Sequence, residues 1–237
     1  MRRLLLASSV LALACGTAPV ATAQVAPGTA RYLTTVSVQG MELPMQTVKT
    51  TSARDGGGWR VVSATALPAF VGGGAIGDTV DVGADLRPVA RRMASQTPMG
   101  ASRVVLAYTA TRITGTTTSG GPARTVDLDI SGEPVHTGQT VDLLLQTLPL
   151  SDGYTLRLRL YNAESDAAVG EAALAVVGKE PLTVPAGTFE AWKTTLTRDD
   201  QTQTFWTEVA APHRLLRMQS ALEGGQGTIT QVFQGEN

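Results

Sequence analysis

The stretch YTLRLRLYN, residues 154–162, places the tightest limit on what this chain can fold into. Tyr154, Leu156, Leu158 and Leu160 alternate with Thr155, Arg157, Arg159 and Tyr161. A period of two sends the apolar set to one side of an extended strand and the polar set to the other, which a helix cannot do. TVDLDI, residues 125–130, repeats the pattern, with Val126, Leu128 and Ile130 set against Asp127 and Asp129. Comparable runs lie near 31–39, 45–53, 58–65, 103–113, 168–177, 189–197, 202–209, 214–220 and 227–233. This is the rhythm of half-buried antiparallel strands. Turn signals separate the runs, among them Asp55-Gly56-Gly57-Gly58, Ser119-Gly120-Gly121-Pro122, Asp152-Gly153 and Gly224-Gly225. The expected fold class is mainly all-β, a large curved antiparallel sheet or half-barrel, with a sandwich or barrel-like wrap as its possible closures. No internal repeat or dividing linker interrupts residues 31–237, which are expected to form a single antiparallel domain.

One stretch keeps a different period. In TVDLLLQTLP, residues 140–149, Val141, Leu144, Leu145 and Leu148 recur at helical spacing. Thr140 is placed to cap the start and Pro149 to stop the run. One short amphipathic helix is expected, lying on the concave side of the sheet. It either closes the core or acts as a lid over an apolar cavity.

The N-terminus reads as a leader. Arg2 and Arg3 precede an apolar run from Leu4 to Ala14, too short to span a bilayer. Ala21-Thr22-Ala23 has the form of a cleavage site, so residues 1–23 are expected to be a signal peptide and 24–30 a short flexible segment. Cys15 is the only cysteine. Soluble export leaves the mature chain without a thiol and therefore without a disulfide. Lipidation of Cys15, which would leave a tether ahead of the sheet, stays open as the alternative. No later segment approaches a membrane span.

Composition narrows function. The formal net charge is −1 and there is no basic block, so nucleic acid is not an expected partner. GGGAIG, Gly72 to Gly77, matches a dinucleotide fingerprint in letters only, because the strand-like DTVDVGADL follows where a helix is required. It is expected to be a surface loop. His136 and His213 lack a second ligand at metal spacing, and no nucleophile elbow is present. Asp127 and Asp129 share a strand face and would suit a carboxylate pair or a weak calcium site, with an outward polar row as the plain alternative. No catalytic residue, metal site or cofactor is expected, and the chain is read as a non-enzyme.

VPAGTFEAWK, residues 184–193, reads as a hairpin. Pro185 presets φ, Gly187 accepts positive φ, and Pro185-Ala186-Gly187 suits a three-residue bulged turn between KEPLTV and TFEAWKTTL. Phe189 and Trp192 then have opposite parity, as do Phe205 and Trp206 in the strand that follows.

Four segments in order carry a family resemblance: DLRPVARR (85–92), LPLSDGYTLRLRLYN (148–162), VVGKEPLTVPAGTFEAWKTTL (176–196) and FWTEVAAPHRLLRM (205–218). They are similar to a group of exported bacterial β proteins of unknown function, which resembles the lipoprotein-localisation carrier superfamily. The resemblance implies a curved antiparallel sheet wrapped on a helix, whose hollow holds acyl chains in the carriers. It transfers no catalytic residue. This chain has only 5% aromatics, thin for such a carrier. The expected function is therefore that of an exported envelope protein binding an apolar ligand, a lipid or a hydrophobic segment of another envelope protein, in a concave sheet face. The residues expected to line it are Leu144, Leu148, Leu156, Leu158, Trp192 and Trp206. The rivals are a scaffold module with a solid core and, less favoured, an exported hydrolase.

Overall fold

The computed structural model describes residues 25–98, 100–164 and 168–236. The leader and Cys15 lie outside the described residues. The first strands are β1 (Gly28–Val38), β2 (Met41–Ala53), β3 (Trp59–Ala66), β4 (Ala75–Val82), β5 (Pro88–Thr97), β6 (Gly100–Tyr108), β7 (Arg112–Ser119) and β8 (Arg124–Asp129). After a two-residue β9 (Val135–His136) comes the helix α1 (Val141–Thr147). The chain continues through β10 (Thr155–Leu160), β11 (Gly170–Val184), β12 (Gly187–Arg198), β13 (Gln201–Glu208), β14 (Leu215–Ala221) and β15 (Gly227–Glu236).

These form one open, curled sheet in the order β8-β7-β6-β5-β4-β3-β2-β1-β15-β14-β13-β12-β11-β10-β9. Chain neighbours are sheet neighbours with one exception, β8 and β9, which lie at opposite edges of the sheet, and β1 also pairs with β15. The first and last strands therefore meet mid-sheet, and two wings of successive hairpins curl away from them. Every pairing is antiparallel except that of β9 with β10. The fold class read from the alternation is the one observed.

Within β8 and β10 the period-two faces land as expected, whereas Tyr161, expected with the polar set, is buried beyond the end of β10. Register carries one inner face around the sheet, so that Leu158 pairs with Ala172, Leu174 with Leu196 and Val80 with Val61. These residues pack with Val141, Leu143, Leu144 and Leu145 of α1 in the larger core. A second core joins Met93, Val104, Leu106, Tyr108, Ile113 and Val126 from β5–β8 to Tyr161 and Ala163 beyond β10.

Several details differ from the sequence reading. β1 begins at Gly28 and Val25 is buried, so part of the segment expected to be flexible belongs to the sheet and its core. The run at 103–113 divides at Thr109–Thr111 into β6 and β7. Ala75 to Gly77 open β4 instead of extending a loop. The glycines before them have a steric role, since at Gly74 (φ +132°) an added Cβ would lie 2.3 Å from the Gln96 carbonyl oxygen. The β11–β12 turn closes on two residues, Pro185 and Ala186, because Val184 pairs with Gly187. Gly187 does take positive φ, +139°. Thr140 precedes α1 without a side-chain cap, and its hydroxyl instead donates to the Thr137 carbonyl.

Candidate functional site

A β-bulge in β11, between Val176 and Gly178, governs where the hairpin buries its side chains. Before it, Ala172, Leu174 and Val176 share the inner face. After it, Leu182 and Val184 lie on the opposite face yet are still buried. An extra residue on one strand reverses parity along it, and here burial switches faces with it.

The six residues expected to line a ligand site are consequently divided. Leu144 and Leu158 are buried in the helix-centred core, and Leu148 and Leu156 are half-buried against it. Trp192 is buried on the face it shares with Leu196, with the Lys179 ammonium 4.4 Å from its ring centroid. Trp206 belongs to the other face. Its indole nitrogen donates to Glu180, and its ring lies between Lys193 at 5.5 Å and Arg217 at 4.9 Å. The two tryptophans thus sit back to back on neighbouring strands, and Trp206 does not face the hollow.

The open part of the hollow lies beside the helix. A depression of about 400 Å³ is lined by Leu160, Tyr161, Leu196, Arg198, Gln203 and Ser220, among others. A second, of about 250 Å³, adjoins it through Gly138, Gln139 and Gln203, and is walled by Lys49, Asp142, Phe205, Met218 and Gln231. Together they form an amphipathic trough of a size used for small ligands, roughly 300–1,000 Å³. Behind Gln231 in its wall runs a polar ladder. The Gln231 amide donates to Thr34, whose hydroxyl pairs with Thr47 at 2.8 Å, and Thr47 pairs with Thr65 at 2.8 Å. This ladder crosses β15, β1, β2 and β3 on the inner face. Sequence reading missed it because threonine is common on both faces of this chain.

Two charged contacts brace the hollow. Lys49 of β2 pairs with Asp142 of α1, tying the helix to the sheet. Deeper in the first wing, Arg91 is 2% exposed and bridges Asp78 at 2.8 Å and Glu164 at 2.5 Å. Burial opposes the Arg91 charge, but its hydrogen bonds to Glu164 and Asp78 prevail and hold it more firmly protonated than usual. Burial outweighs the same pairing at Asp78 and pushes its carboxyl up. Arg124 also donates to the Ala163 carbonyl at 3.0 Å. Arg91 and Arg124 thereby join the β8 end of the sheet to the loop after β10, where no strand ladder connects them.

The remaining chemical candidates are accounted for locally. His213 uses Nδ1 on the Glu208 carbonyl oxygen at 2.9 Å. Burial, then the nearby Arg87, pushes His136 below its ordinary value. Asp127 pairs with Arg112, and Asp129 accepts the Ser131 amide, an outward polar row as in the plain alternative. Among the described residues no group of three or more His, Cys, Asp or Glu side chains is placed to hold a metal. No helix among them is long and apolar enough to cross a membrane.

A curled antiparallel sheet, plugged by one helix and open beside it, defines a β-barrel-like class of protein. Within that class the chain belongs to the DUF3108 family, described as a protein of unknown function, which matches residues 31–232. No curated protein matches it. Among solved structures it is similar to a β-barrel-like protein of the unknown-function family DUF1849 from Brucella abortus. The identity is 13%, with 89% of this chain and 97% of that chain covered and a TM-score of 0.59, a likeness of fold alone. A protein from Bacteroides fragilis, provisionally described as exported and of YmcC-like fold, matches at 12% identity, 90% and 97% coverage and a TM-score of 0.35. One from Parabacteroides distasonis, provisionally described as a lipoprotein, matches at 10% identity, 90% and 96% coverage and a TM-score of 0.29.

Proposed function

We propose that this chain is an exported, non-enzymatic envelope protein that binds an apolar ligand, or a hydrophobic protein segment, in the concave face of its sheet. The observation that carries the reading is the trough beside α1, whose wall includes Leu160, Leu196 and Phe205, themselves largely buried, and the partly exposed Met218. The contact surface shifts from the residues expected in the sequence. Leu144, Leu148, Leu156 and Leu158 belong to the core around α1, and Trp192 shares its face with Leu196. Burying apolar surface is worth about 25 cal/mol per Å², enough to retain one chain without special chemistry. The leader-like N-terminus supports export. Release after residue 23 or anchoring through Cys15 would both deliver the sheet to the envelope, periplasmic in a bacterium with two membranes.

Native mass spectrometry of protein purified from its own host, before and after delipidation, tests the proposal. A bound mass lost on delipidation is expected. Equal masses, with no uptake of an apolar fluorescent probe by the delipidated protein, would overturn it. The rival, a scaffold without a ligand, is favoured by one observation, the complete burial of Leu143 and Leu145 beneath the sheet. That reading requires the trough to stay empty under both assays.

A further inference from the structure

We infer that the trough ends in a head-group site built around Asp142, and that it takes an uncharged single-chain amphiphile bearing a hydroxyl or amide head, the monoacylglycerol class. The inference rests on the binding function proposed above and specifies its ligand.

Asp142 carries the argument. Its side chain is only 8% exposed. One carboxylate oxygen, Oδ2, is used by Lys49, while Oδ1 is buried and has no hydrogen-bond partner. A buried carboxylate oxygen without a donor is costly and uncommon, so a donor is called for from outside the fold. Asp142 and Lys49 both wall the smaller depression, so a donor seated there reaches Oδ1 once the Asp142 carboxyl turns towards it.

The surroundings select the donor's charge. Each cation lining the trough is already matched, Lys49 by Asp142 and Arg198 by Asp199 at 3.8 Å. An anionic head would be stripped of water beside a carboxylate with no cation left to meet it. A cationic head would compete with Lys49 for the same oxygens. A neutral hydroxyl or amide N–H satisfies Oδ1 and leaves the ion pair intact. The amides of Gln139 and Gln203, which make no hydrogen bond among the described residues, stand ready for the remaining polar atoms of such a head. From there Phe205 and Met218 lead a tail towards the larger depression and its Leu160 and Leu196.

The test uses the delipidated full mature chain and three probes sharing a twelve-carbon tail, kept below their micelle concentrations: monolauroylglycerol, laurate at pH 8 and dodecyltrimethylammonium. Calorimetry is expected to show monoacylglycerol binding about tenfold tighter than either charged probe. D142N, which keeps the shape and removes the charge, should erase the preference over laurate. Should D142N fold poorly, K49Q/D142N removes both charges together and should erase it equally. Equal binding of the three probes, or a preference unchanged by either variant, would overturn the head-group site while leaving the trough reading intact. Failure of all three to bind would overturn both.

Discussion

The hollow of this sheet has a filled half and an open half, built by one alternation rule. On β3, β4, β10 and β11 the inner row presents Val61, Val80, Val82, Leu158 and Leu174, and α1 docks there. On β13–β15, β1 and β2 the same inner parity presents Gln203, Gln231, Thr34 and Thr47 beside Phe205 and Met218, and the trough stays open. A seven-residue helix is too short to be stable alone, so it settles where apolar partners repay its ordering. Alternation therefore tells which residues face inward, whereas the chemistry of the inward row decides whether the space is filled.

The comparison can be broken most strongly at its brace. R91A would leave the Asp78 and Glu164 carboxylates facing each other without their cation, at a cost of about 3–5 kcal/mol in denaturant unfolding. Adding D78L to R91M should recover much of that loss, because the buried charges then leave together. A loss of under about 1 kcal/mol for R91A would mean that the two ends of the sheet are held by something other than this contact.

On the filled side, L145A removes a side chain with no exposure at all, and should cost about 2–5 kcal/mol. On the open side, T47V interrupts the ladder from Thr34 to Thr65 and should cost about 1 kcal/mol, the net value of a hydrogen bond in this setting. Equal losses in the two variants would erase the distinction between a packed half and a lined one. Q203A should change stability by less than about 0.5 kcal/mol while weakening uptake of a neutral amphiphile, since the Gln203 amide supports no contact within the fold.

The smallest effect is on pH dependence. Burial, then Arg87, holds His136 below the ordinary 6.5, so the unfolded chain takes up its proton first. The neutral form is thus favoured by folding. Stability from this residue is fully present above about pH 6.5 and is lost as pH falls through that value towards the folded one. H136N should flatten melting temperature across that window. An unchanged slope would assign the acid sensitivity to other groups.

Legibility followed local pattern. The strand of YTLRLRLYN, the helix over 141–147 and the turn at Pro185-Ala186 were readable because their periods and φ requirements are local. β5 was not, for a physical reason: its inward positions hold Arg91, Met93 and Ser95, so hydropathy no longer marks the inner face. β7 fails similarly, with Ile113, Gly115 and Thr117 on that face. For the candidate site, the parity of Leu156 and Leu158 was legible. The bulge after Val176 and the burial of Trp206 on the face opposite Phe205 were not, since both depend on partner strands.

By itself the sequence determined a two-residue rhythm and one short helix, because each is written in residues close along the chain. Only the tertiary structure decided that β1 meets β15, that Arg91 is the buried brace, and that the hollow opens beside α1. Those outcomes depend on residues far apart in sequence finding one another, and hydropathy along a strand carries no record of its partner.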